Sequence, residues 1–215
     1  MRAQAQEGQT KVRAGELAGA ALGCLAERVQ KALNCDHAKQ VGQCVKVLAR
    51  HFGLPEDEVD MLGAAALLHD LGKLGLPESI LQKKGPLTAD EWDIIRRHPA
   101  IGACLLAGGD SRLLALARQV ALTHHEHWDG SGYPQQLRGN QIPLAGQLVM
   151  LADRYDALRS RRPYKPALDH ETACRILLEG DERSRPEHFE PRVLAAFREL
   201  RESFRSIYDG MVAES

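Results

Sequence analysis

The chain is 215 residues long, 44% hydrophobic and 27% charged, the proportions of one globular domain with at most a short arm. Disorder, collagen and coiled-coil fibre are excluded, and the net charge of −1, from 28 Lys and Arg against 29 Asp and Glu, gives no global field for duplex nucleic acid or an anionic membrane. The apolar stretches Leu17 to Ala26 and Met61 to Leu68 are far shorter than the roughly 20 residues of a bilayer span, so a cytoplasmic chain without membrane insertion is expected. Five cysteines without paired spacing fit a reducing compartment and argue against a disulfide framework or a zinc ribbon.

In chain order, residues 1–30 read as an N-terminal arm in which Leu17, Leu22, Leu25 and Val29 suggest a helix. From Asp36 to Phe52, Val41, Cys44, Val45, Leu48 and Phe52 recur at helical steps until Gly53 stops them. Pro55 and the acids Glu56, Asp57 and Glu58 open a second helix, expected to run through His69 until Gly72 and Gly75 break it. Thr88 and Glu91 form a capping box for a helix expected to close at His98, before Pro99. Ser111 to Trp128 contains no Gly or Pro and reads as one helix. Residues 128–143 then turn to loop chemistry, and helices return over Leu144 to Ser160, Asp169 to Leu178 and Pro191 to Tyr208. Strand-like alternation is absent, so the fold expected is all-α.

The nine histidines outweigh the sparse aromatics, and several fall on apolar helical stripes. His37 precedes Val41 by one turn, His69 follows Leu62 and Ala66, His124 and His125 follow Val120 and Ala121, His98 ends its helix, and Asp153 follows Val149. A single inward histidine is ordinarily a satisfied core or capping residue. The adjacent pairs His69-Asp70 and His124-His125 are different, because neighbouring helical residues diverge by about 100° and both are satisfied only at a crowded polar centre. Five His and two Asp exceed one tetrahedral zinc and suit two octahedral cations, such as iron or manganese, bridged by a carboxylate and a water. His51, His127, His170 and His188 are taken as surface residues, and Cys35 as a helix-start residue rather than a ligand.

The segment His69-Asp70-Leu71-Gly72-Lys73, with His124-His125-Glu126 and Asp129-Gly130-Ser131-Gly132-Tyr133-Pro134, resembles the HD-GYP domain, a subclass of the HD metal-dependent phosphohydrolases. The likeness covers about Asp36 to Phe204, and residues 31–210 are taken as the catalytic domain. The resemblance implies an HD-domain-like helical bundle around a metal centre, hydrolysing cyclic di-GMP to linear pGpG or GMP through a metal-bridging hydroxide. It implies His37, His69, Asp70, His98, His124, His125 and Asp153 as ligands of two divalent ions, iron or manganese, with Asp70 bridging. Lys73 is implied beside the attacking group, Arg162 and Lys165 on substrate phosphates, and Tyr133 beside the pocket, for stacking on or hydrogen bonding to a base. Leu33 stands where some members carry a Glu that helps hold a third metal, which favours two.

Two bridged cations answer the difficulty of a phosphodiester, whose anionic oxygens repel a nucleophile. Arg159 and Arg161 are read as solvated surface charge. The charged last helix is read as a solvated face, with a homodimer contact as the alternative. Two other functions stand beside the phosphodiesterase: a weakly active cyclic-dinucleotide-binding module working through protein signalling partners, and an HD phosphohydrolase acting on mononucleotides.

Overall fold

A computed structural model describes residues 35–108, 111–160 and 167–212. The N-terminal arm, Leu33, Arg161, Arg162 and Lys165 lie outside the described residues. The described residues form nine helices and no strand: α1 (Cys35–His51), α2 (Glu56–Ala66), α3 (Glu78–Leu81), α4 (Ala89–Ile95), α5 (His98–Leu105), α6 (Arg112–Thr123), α7 (Leu144–Arg159), α8 (His170–Glu179) and α9 (Pro191–Val212). The architecture is all-α, as the periodicity predicts, and none of these helices is long and apolar enough to cross a membrane.

Helix α7 is the central strut. Leu148 to Ala152 are buried on every side, so this helix carries no solvent-facing stripe over more than a turn, and α1, α6, α8 and α9 pack around it. Beneath its C-terminal half, Tyr155 meets Phe197, Phe204 and Tyr208 of α9 edge-on or tilted, at centroid distances of 5.7, 5.2 and 5.1 Å. Val41, Cys44, Val45 and Leu48 are fully buried, as the stripe on α1 requires, and Gly53 ends the helix region at φ 74°. The Thr88 capping box is present: the Thr88 hydroxyl accepts from the Glu91 N–H at 3.3 Å, and the Glu91 carboxylate accepts from the Thr88 N–H at 2.7 Å.

The structure corrects several sequence expectations. Helix α2 ends at Ala66, not beyond His69, because the chain tightens into three-residue turns, with Leu68 N–H on Ala65 O at 3.0 Å and His69 N–H on Ala66 O at 3.3 Å. A 3₁₀ turn, Leu71–Gly75, follows. His98 opens α5 instead of closing α4, with Pro99 in the first turn, where its missing N–H costs nothing. Helix α6 stops at Thr123, so His124 and His125 lie on the turn beyond it. His170 is buried, its Nδ1 2.8 Å from the Tyr155 hydroxyl, while His127 and His188 are half-buried and stacked at 4.1 Å; of the four histidines taken as surface residues, only His51 is exposed. Arg159 is also not solvated: its guanidinium lies 5.6 Å from the Tyr208 ring centre and 3.4 Å from Asp209.

Gly72 allows the 3₁₀ turn to lie directly on the first turn of α5. A Cβ there would stand 1.9 Å from the His98 carbonyl oxygen and 2.5 Å from the Gly102 nitrogen, both backbone atoms with no freedom to move aside. Gly72→Ala is therefore expected to cost at least about 1–3 kcal/mol in urea unfolding. Gly85→Ala, where a Cβ meets nothing within 4 Å, should stay within about 0.5 kcal/mol of the unmodified chain.

Candidate metal centre

Six of the seven predicted ligands reach the centre from the first turn of a helix or the turn beyond its end, and Asp153 from within α7. His37 comes from the first turn of α1, His69 and Asp70 from the turn after α2, and His98 from the start of α5. His124 and His125 come from the turn after α6, and Asp153 from the middle of α7. All seven come together. His37, His69 and Asp70 form one group of donors within 4.8 Å of one another, and Asp70, His98, His124 and His125 form a second.

The orientation of the rings decides what these groups can hold. The Nδ1–H of His69 donates to Ala66 O at 2.7 Å, that of His98 to Ile95 O at 2.8 Å, and that of His124 to Ala121 O at 2.9 Å. The Nδ1–H of His37 donates to Asp156 Oδ2 at 2.5 Å. With Nδ1 protonated, each Nε2 presents a lone pair to the centre. Yet Nε2 of His37 lies 3.3 Å from that of His69, and Nε2 of His98 lies 3.2 Å from that of His124. Two lone pairs at that distance repel unless a proton or a metal cation is shared between the donors.

Asp70 joins the two groups. Its Oδ1 is 3.2 Å from His98 Nε2 and 3.8 Å from His124 Nε2, whereas Oδ2 is 3.5 Å from His69 Nε2 and 4.0 Å from His37 Nε2. Oδ1 is buried with no hydrogen-bond donor, a cost of a few kcal/mol that a cation removes. Asp153 Oδ1 adds an oxygen on the first side, 3.5 Å from His37 and 3.8 Å from His69. The electrostatics agree with the geometry. Burial works against protonation of His69, but the charge and hydrogen bond of Asp70, with the charge of Asp153, raise it to about 9, so this side of the pocket draws positive charge. On the other side burial lowers His124 to about 4, and burial with the neighbouring imidazoles holds His125 well below the usual range, which leaves both neutral and able to ligate at neutral pH. The donor set fits divalent cations.

The sequence profile of the HD domain family matches residues 24–193. The chain belongs to the HD domain family. Among its relatives is a cyclic di-GMP phosphodiesterase of Vibrio cholerae serotype O1, 44% identical over 184 residues, covering 80% of this chain and 37% of the relative. A 3'3'-cGAMP-specific phosphodiesterase 2 of the same organism is 40% identical over 171 residues, covering 80% of this chain and 32% of the relative. A solved HDG"Y"P protein from Bdellovibrio bacteriovorus shares the fold with a TM-score of 0.58 at 21% identity, over 76% of this chain and 51% of that one. The chain thus spans about a third of the length of these curated relatives. The HD domain implies divalent metal binding, and the loop from Asp129 to Pro134 carries the residues by which the sequence resembles the HD-GYP subclass.

The loop of this HD domain is built onto the turn that carries two of the histidines. Gly132 lies against it so closely that a Cβ would stand 2.2 Å from His127 N and 2.5 Å from His125 O, and Tyr133 N–H donates to His125 O at 3.0 Å. The Tyr133 ring stacks on His125 at 4.7 Å, with the Arg96 guanidinium 6.0 Å from its centre. The Tyr133 hydroxyl, whose pKa is pushed up by burial and by Asp153 and Asp70, remains a proton donor. Lys73 Nζ, one third exposed, pairs with Asp70 Oδ2.

Sequence reasoning missed two acids. Asp156, one turn beyond Asp153 on α7, holds His37, and that spacing is the signal in the sequence that points to it. Glu126, next to the histidine pair, is 2% exposed and accepts the N–H groups of Gln135 at 2.6 Å and Leu137 at 2.9 Å, clamping the far end of the loop. Glu126→Ala should lose about 1–3 kcal/mol of stability and speed amide hydrogen exchange at Gln135 and Leu137, read by mass spectrometry, more than at α1.

Proposed function

We propose that the chain hydrolyses a cyclic dinucleotide, cyclic di-GMP first, at two divalent ions of iron or manganese. One observation carries this reading: a single buried carboxylate, Asp70, with one oxygen toward each of two imidazole groups. His37, His69 and Asp153 would hold one ion, and His98, His124 and His125 the other, with Asp70 between them. Mixed nitrogen and oxygen donors of this kind suit iron and manganese. When bound, such a pair supplies Lewis acidity at a phosphodiester and lowers the pKa of water. The activities of the relatives, on cyclic di-GMP and on 3'3'-cGAMP, support the substrate class.

The chain's own residues would bind and orient the substrate around that centre. Lys73 can exchange Asp70 for a phosphate oxygen, bringing a positive charge to the group that accumulates negative charge. Tyr133, with His125 stacked on its ring, would offer its hydroxyl or the rest of its ring to a base. Arg162 and Lys165 would contact the substrate's phosphates.

Elemental analysis of the protein as purified, with anaerobic turnover of cyclic di-GMP and 3'3'-cGAMP in iron or manganese, tests the proposal. Two metals per chain and a linear dinucleotide product are expected, with product lost in Asp70→Ala. Lys73→Met should keep its metal and lose about 10²-fold in kcat. Metal without turnover would favour the binding module, and absence of metal would overturn the site.

A further inference from the structure

Of the four rings at the candidate metal centre whose Nδ1 has a partner, His37 is held differently. His69, His98 and His124 are each held by a backbone carbonyl three residues earlier, within their own turn. His37 is held by a side chain from another helix, Asp156 of α7. Asp156 is in turn held at both oxygens. Oδ2 accepts the Ser160 hydroxyl at 3.0 Å besides His37, and Oδ1 accepts the hydroxyl of Tyr208, on α9, at 2.6 Å. Asp156 is 1% and Tyr208 5% exposed, so little room is left for water to replace the phenol.

Tyr208 is itself fixed in place. Its ring meets Tyr155 edge-on at 5.1 Å, and Arg159, tied to Asp209, covers it. A buried carboxylate oxygen deprived of its donor costs a few kcal/mol and drives the carboxylate to turn toward another one. Turning Asp156 would withdraw Oδ2 from His37, and with it both the tautomer and the aim of Nε2.

We propose that Tyr208 is a positioning residue of the metal site, acting through Asp156 on His37, so that the last helix supports one half of the centre. The inference rests on the reading of His37 as a ligand. It distinguishes the two halves: the ion between His37 and His69 depends on α9, whereas the ion among His98, His124 and His125 does not.

The test is titration of the metal-free full chain with Mn²⁺, reading free Mn²⁺ by electron paramagnetic resonance. Tyr208→Phe removes one hydroxyl and keeps the ring. One Mn²⁺ site is expected to weaken about 10-fold and the other to keep its affinity. Tyr155→Phe is the control: it deletes another buried hydroxyl in the same aromatic cluster, bonded to His170 rather than to a ligand's support, and should bind Mn²⁺ as the unmodified chain does. Thermal unfolding of the two metal-free variants should fall together. Should Tyr208→Phe not fold, Asp156→Ala, which leaves the His37 Nδ1–H without its acceptor, is expected to weaken the same site. Unchanged affinity in Tyr208→Phe, or an equal loss in Tyr155→Phe, would overturn the inference alone. An unmodified chain that takes up no Mn²⁺ would overturn the metal reading and this inference with it.

Discussion

The structure is organised around the burial of one negative charge. Asp70 is 6% exposed, faces four imidazoles, and has Lys73 as its cationic partner. An ionised carboxylate in such a place is expensive unless positive charge meets it, and Lys73 reaches only Oδ2. Oδ1 remains for a cation, and the rings around it are turned to supply the remaining donors.

Delivering those donors dictates where the helices end. A helix interior sends neighbouring side chains about 100° apart, so it cannot aim both His69 and Asp70, or both His124 and His125, at one point. Helices α2 and α6 stop short of these pairs, and the tighter turns that follow bring both members inward. The same turns leave a lone pair on the Ala66 and Ala121 carbonyls to accept the Nδ1–H of His69 and His124, so helix termination also sets which ring nitrogen carries the proton. Gly72 and Gly132 complete the arrangement by letting backbone lie on backbone, at the approach of the 71–75 turn to α5 and of the 129–134 loop to the histidine pair.

The two acids outside the ligand set act at longer range. Glu126 fastens the loop by two backbone amides, and Asp156 carries the influence of α9 across the central helix to His37. The apolar packing of Tyr155, Phe197, Phe204 and Tyr208 therefore contributes more than burial: it fixes the position of the phenol on which Asp156 depends.

The helical period of α1, the capping box of α4, the loop after Trp128 and the set of seven inward His and Asp were legible from sequence, because each depends on spacing along one segment. Where α2 and α6 stop was not, since neither stop carries a Gly or Pro at the break; beyond α2 the following turn packs through Gly72 against His98, a contact between distant segments that periodicity does not record. The burial of His170 and the partners of Arg159 were hidden for the same reason, as both lie against residues far away in the chain. Periodicity shows that a side chain faces inward; it cannot show which atom meets it. The division of the ligands into two groups about Asp70, and the roles of Asp156 and Tyr208, arise from helix crossings that bring residues 37, 156 and 208 together, and only the folded chain contains them.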